Sequence, residues 1–269
     1  MKVRSLILLI GVILGSAHFL SSAVGPPTHF DTPLLQKHLP LPRDPDNPQS
    51  KPLLSCYYYP HFMVKQIDLG EEGAEQLSIL HISKGEEQPP CRRTNAKDEM
   101  VIDSKAWDGY FEGVKGSFVF FNAADGVNGG VGFAIFSGSD GSKIFEDVAK
   151  SGMSSIELIP PIAQSDPNNH SDAAIKVRFR RVYQAPCSLR TDERNCWTSI
   201  KQITGLSDSA PPNCSAWYEA EEKRLPDGSK EVATDPSVIT YEVEILLDSR
   251  NTLVRAAPIS KPIECYGAD

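Results

Sequence analysis

Two stretches of this chain alternate apolar and charged residues with a period of two. In Ala174 to Tyr183, Ile175, Val177 and Phe179 fall on one side, and Lys176, Arg178 and Arg180 on the other. In Ile239 to Leu247, Ile239, Tyr241, Val243, Ile245 and Leu247 are apolar, with Glu242 and Glu244 between them. Successive side chains of a strand point to opposite faces, so each stretch reads as a strand with one face in a core and one in water. The outer faces carry opposite charge. That predicts that the two strands are sheet neighbours, since opposed charges across strands contribute ~0.2–1 kcal/mol per pair.

The rest of the body fits the same class. Val64 to Leu69 and Leu77 to Ile82 alternate around the turn-rich stretch Gly70 to Glu75, which reads as a hairpin with a longish loop. Ser117 to Asn122, Phe133 to Phe136 and Lys143 to Phe145 are strand candidates, the last two parted by the turn Ser137 to Ser142. Three strands in sequence suggest a meander. Trp197, Ile200 and Ile203 have helical spacing in Asn195 to Thr204, which Gly205 can end. Asn213 can cap a second helix through Trp217 to Lys223, stopped by Pro226. The expected fold class is therefore α+β and β-dominated: an antiparallel meander sheet or sandwich with two short helices in the C-terminal half.

Six cysteines, Cys56, Cys91, Cys187, Cys196, Cys214 and Cys265, are an even number with no C-x-x-C pair. In an exported chain that pattern favours disulfides over zinc or redox chemistry. Cys56 and Cys91 flank the proposed hairpin and are expected to pair, with Cys187–Cys196 and Cys214–Cys265 completing the set. Cys196 with Cys214 is the main rival pairing.

Export is read from the start of the chain. Lys2 and Arg4 precede an apolar run from Leu6 to Leu14, and Ser21-Ser22-Ala23 supplies small residues for cleavage. Residues 1–23 are thus expected to be a signal peptide. Removing 23 of 269 residues leaves 246, and losing Lys2 and Arg4 moves the formal charge from −8 to −10. Residues 24–54 carry eight prolines, which predicts a proline-rich tether without regular structure. Residues 55–269 are expected to form a single globular β-rich domain, with a weak possible seam at Gln164 to Ser171. No second long apolar stretch exists, so no membrane span is expected in the mature chain.

An acidic chain gives no electrostatic reason to bind nucleic acid. No nucleophile elbow, H-E-x-x-H, phosphate loop or dinucleotide fingerprint occurs. Trp107, Asp108 and Tyr110 put aromatics beside a carboxylate and Gly109, a composition suited to carbohydrate or peptide contact. Asp125 and Asn128 lie in the Asn/Asp/Gly-rich stretch 122–130, whose oxygens offer a calcium ligand set. That stretch equally has the chemistry of a tight turn. Asn169-His170-Ser171 and Asn213-Cys214-Ser215 fit the glycosylation acceptor pattern. The expected role is an exported cell-envelope or extracellular binding module for a protein or carbohydrate partner. The alternative is a secreted hydrolase with a site assembled from distant segments.

Overall fold

The computed structural model describes residues 30–159, 174–224, 229–248 and 252–266. The proposed signal peptide and the seam at Gln164 to Ser171 lie outside them. Within them the chain is β-dominated and antiparallel, as the alternation predicts. Five strands form one sheet in sequence order: β1 (Leu35–Pro40), β2 (Leu53–Tyr58), β3 (Phe62–Asp68), β4 (Gln76–His81) and β5 (Glu99–Val101). Seven form a second, also in sequence order: β6 (Gly109–Lys115), β7 (Phe118–Val127), β8 (Gly130–Ser137), β9 (Lys143–Ile159), β10 (Ala174–Gln184), β11 (Val238–Leu247) and β12 (Leu253–Tyr266). Each sheet is a meander, because each strand pairs with the next. The helices α1 (Glu193–Thr204), α2 (Ser215–Arg224) and α3 (Ser229–Thr234) all fall between β10 and β11.

The period of two sorts the side chains into three apolar clusters. Val64, Leu77 and Ile79 of the first sheet meet Val119, Phe121, Ala134 and Phe136 of the second, which makes a sandwich. The opposite face of β7, β8, β10 and β11 carries Phe118, Phe120, Phe133, Ile135, Val177, Phe179 and Tyr241. Trp197 and Ile200 of α1, Tyr218 of α2 and Val232 of α3 belong to the same cluster. The outer face of the first sheet buries Leu54, Cys56, Tyr58, Met63 and Ile67 against Leu41, Leu69, Cys91 and Ala96. The C-terminal end of α1 follows the sequence signal, while the helix starts at Glu193, two residues before the expected Asn195. The Asp192 side chain accepts from the Asn195 amide, and Gly205 closes the helix in the left-handed conformation at φ 74°. The Asn213 side chain accepts from the Ser215 amide at 3.0 Å, which caps α2.

β10 and β11 are neighbours in the register the charges require, with Arg178 opposite Glu244 and Arg180 opposite Glu242. Their outer faces form a ladder of ion pairs. Arg178 reaches Glu244 at 2.8 Å, Arg180 reaches Glu264 of β12 at 2.7 Å, and Lys176 reaches Glu157 of β9 at 2.8 Å. The three cysteine pairs are closed as Cys56–Cys91, Cys187–Cys196 and Cys214–Cys265.

The tether expectation needs correction. Leu35–Pro40 is a strand paired along its length with β2, so the folded body begins before Ser55. Phe30 stacks edge-on against Phe120 at 5.2 Å, and Lys115 pairs with Asp31 at 2.8 Å. The prolines permit this because β1 is an edge strand: Pro40 ends it, and an edge leaves one side of the backbone unpaired in any case. No described helix is long and apolar enough to cross a membrane. Three disulfides mark a fold formed outside the reducing cytosol.

Candidate functional site

The residues singled out from sequence fall in two places, around the start of β6 and around the end of β7. Trp107 is partly buried against the inter-sheet core. Tyr110 donates its hydroxyl hydrogen to the Glu71 carbonyl at 3.0 Å and accepts from the Gly73 amide at 2.9 Å. Asp108 lies against Gly73, whose missing side chain makes room for it. Tyr110 therefore pins the Gly70 to Glu75 loop to the edge strand β6, and the Ala74 amide donates to the Gly109 carbonyl at 3.0 Å. Asn128 and Gly129, at φ 51° and 68°, form the two-residue turn joining β7 to β8. Asn128 donates to Gln184 at 3.3 Å, and Asp125 accepts from the next amide, Gly126, at 2.7 Å. The first holds the turn to the end of β10, and the second joins neighbours at the irregular end of β7. No group of three or more His, Cys, Asp or Glu among the described residues is arranged to hold a metal ion.

Among the described residues, a recess open to solvent lies under the helices, where sequence reading had marked helix signals and cysteines but no site. It offers about 690 Å³, a size within the range of ligand sites. Leu189 and Arg190, after β10, form one wall; Pro211, Pro212 and Asn213, before α2, form another. Its framework is fixed by covalent and polar ties. Cys187–Cys196 fastens the segment after β10 to α1, and Cys214–Cys265 fastens the start of α2 to β12. Ser188 donates to the Ala233 carbonyl at 2.7 Å, and the Leu189 amide donates to Ser237 at 2.8 Å. The buried Tyr218 shares a 2.6 Å hydrogen bond with Ser237 and presents its ring to Arg190 at 5.3 Å. Arg190 is neutralised by Glu222 at 2.5 Å. Glu193 and Glu219 bring two further carboxylates to the lining. The signal available in sequence was the spacing of four cysteines around Pro211-Pro212.

A second concentration of polar groups sits on the helix-facing side of the large sheet. Arg181 donates from both Nε and Nη2 to Asp147, and from Nη1 to the Tyr241 hydroxyl at 3.2 Å. Its guanidinium also lies 5.9 Å from the Phe179 ring and 5.8 Å from the Tyr241 ring. Burial pushes the Asp147 carboxyl above its ordinary range, and the Arg181 charge offsets only part of that. Burial also raises the Tyr241 phenol, which therefore stays protonated at neutral pH. The acid and the base of this cluster are spent on each other. Sequence reading missed it because the period of two puts Arg181 on the apolar side with Phe179, while its partner Asp147 lies 34 residues away and is not given by any local spacing. A register shift between Phe179 and Arg181 marks the irregular pairing there.

Compared with protein-family models, with curated proteins and with solved structures, the chain matches none.

Proposed function

We propose that the protein is exported and acts as an extracellular or envelope binding module, with the recess under the helices as its binding site for a basic segment of a partner protein. The observation that carries this reading is the recess itself. Two disulfides hold its framework, so little ordering is needed on binding. Glu193 and Glu219 supply negative charge at the lining, while Arg190 is already paired with Glu222. The whole chain is acidic as well, with a formal charge of −8, which favours approach of a cation.

Fluorescence anisotropy on the mature protein tests the proposal, using short Arg/Lys-rich, neutral and acidic peptides beside a set of neutral oligosaccharides. The expected result is binding of basic peptides that weakens with added salt. Glu193→Lys with Glu219→Lys should lower the affinity at least tenfold. Binding of oligosaccharides alone, or of basic peptides unaffected by the double change, would overturn the site. Turnover of any panel member would favour the hydrolase alternative.

A further inference from the structure

The outer face of the first sheet contains a polar constellation that the proposed function does not use. Lys65 of β3 is 1% exposed, and its ammonium lies 2.6 Å from Oε1 of Glu99 on β5. Both side chains are 2% exposed. The Lys65 Nζ also lies 2.9 Å from Oδ1 of Asn95. The same Oδ1 accepts from Gln76 Nε2 at 2.8 Å. Glu99 is fixed in turn: Oε1 accepts from the Ser78 hydroxyl at 2.5 Å and Oε2 from the Ala96 amide at 2.8 Å. An amine, a carboxylate against it, an amide carbonyl and a donor on that carbonyl thus converge, with the amine and carboxylate buried and Asn95 at the exposed rim.

We propose that Lys65 and Asn95 join in an intramolecular isopeptide bond, formed by the protein on itself. The Lys65 amine is the nucleophile, and Glu99 takes the proton that Nζ must lose before it can attack. Attack on Cγ of Asn95 forms the C–N bond and puts negative charge on Oδ1, where Gln76 already donates. Collapse breaks the bond from Cγ to Nδ2. Glu99 passes that proton to the departing nitrogen, which leaves as ammonia, and takes up the second proton that Nζ sheds on becoming the amide nitrogen. One amide is exchanged for another, with no oxidant, metal or external reactant. A hydrogen bond to Oδ1 puts Nζ roughly 3.7 Å from Cγ by amide geometry, a few tenths beyond the ~3–3.5 Å of a near-attack arrangement. A small rotation of the Asn95 side chain closes that gap, and Asn95 is exposed enough to make it.

The bond would tie β3 to the segment that covers it, 30 residues on, beside the Cys56–Cys91 bridge. Intact mass of the purified, reduced mature protein tests this directly. The expected mass is lower than that of the sequence by about 17 Da, one ammonia. Trypsin should fail to cut after Lys65, and a branched peptide should link Lys65 to Asn95. Lys65→Arg and Asn95→Ala should each restore the sequence mass. Glu99→Gln, which keeps the shape but not the base, should do so too. Asn95→Asp should keep the cross-link with loss of about 18 Da, because water then leaves. This last variant separates failed chemistry from failed folding. A wild-type mass equal to the sequence mass, with free Lys65 in the digest, overturns the proposal.

Discussion

Removing Arg181 while leaving Asp147 in place tests whether the cluster on the large sheet is structural. The Arg181 and Asp147 side chains are 19% and 12% exposed, so the pair is mostly out of water. Stripping one partner from a buried pair costs about 3–5 kcal/mol, because the other charge is left without compensation. The residual exposure puts Arg181→Ala at the low end, about 3 kcal/mol. Lost contact with the Phe179 and Tyr241 rings adds about 0.5–1 kcal/mol. Replacing both partners, as Arg181→Met with Asp147→Leu, removes the uncompensated charge and should bring stability back to within about 1 kcal/mol of the parent. Urea unfolding followed by tryptophan fluorescence reads this as a shift in midpoint at constant slope. If Arg181→Ala costs less than about 1 kcal/mol, the pair is not desolvated as described. If the double variant is as unstable as the single, the cost comes from lost packing and not from charge.

Other predictions bear on other links. Trp197→Ala opens a hole beneath α1 where the side chain is 3% exposed; chemical denaturation should show a loss of about 3–5 kcal/mol. A Cβ at Gly109 would collide with the Asn122 carbonyl, so Gly109→Ala should unpair the start of β6 from β7, read as faster amide exchange at Ala74 and Ala123. Hydrogen bonds from Ser137 and Ser142 hold the Asp140 carboxyl below its ordinary value. Its contribution is therefore fully present above the unfolded value of about 3.9 and is lost as pH falls through the lower folded value. Asp140→Asn should remove that part of the acid dependence of thermal unfolding, and an unchanged acid profile would refute the assignment.

Much of the architecture was legible because it rests on short-range rules. The alternation in Ala174 to Tyr183 and Ile239 to Leu247 set both the faces and the pairing of β10 and β11, since opposite charges had to meet. The Gly70 to Glu75 turn and the flanking cysteines marked the β3–β4 hairpin and its bridge. Gly205 and Asn213 marked helix ends. What stayed hidden depended on what covers a face. Lys65 shares its face of β3 with the apolar Met63 and Ile67, and nothing local says which partner would satisfy its charge there. It is buried only because Asn95 to Glu99 folds back over it. β1 was hidden by the prolines around it, although the strand Leu35–Pro40 itself contains just one, at its end. Trp107, Asp108 and Tyr110 have the composition of a contact surface, but packing engages Trp107 and edge hydrogen bonds engage Tyr110, which leaves Asp108 exposed beside them. The recess joins segments before and after α1 through one bridge to α1 and one to β12; the cysteine spacing hinted at it, but only the fold brings those segments together.

The account depends on a chain cleaved after export and locked by its own cysteines. Non-reducing peptide mapping of the protein, secreted by a host expressing the full reading frame, tests both at once. The predicted map begins at Val24 and contains Cys56 with Cys91, Cys187 with Cys196 and Cys214 with Cys265. A map that starts at Met1, or that finds free thiols or Cys196 joined to Cys214, would contradict it.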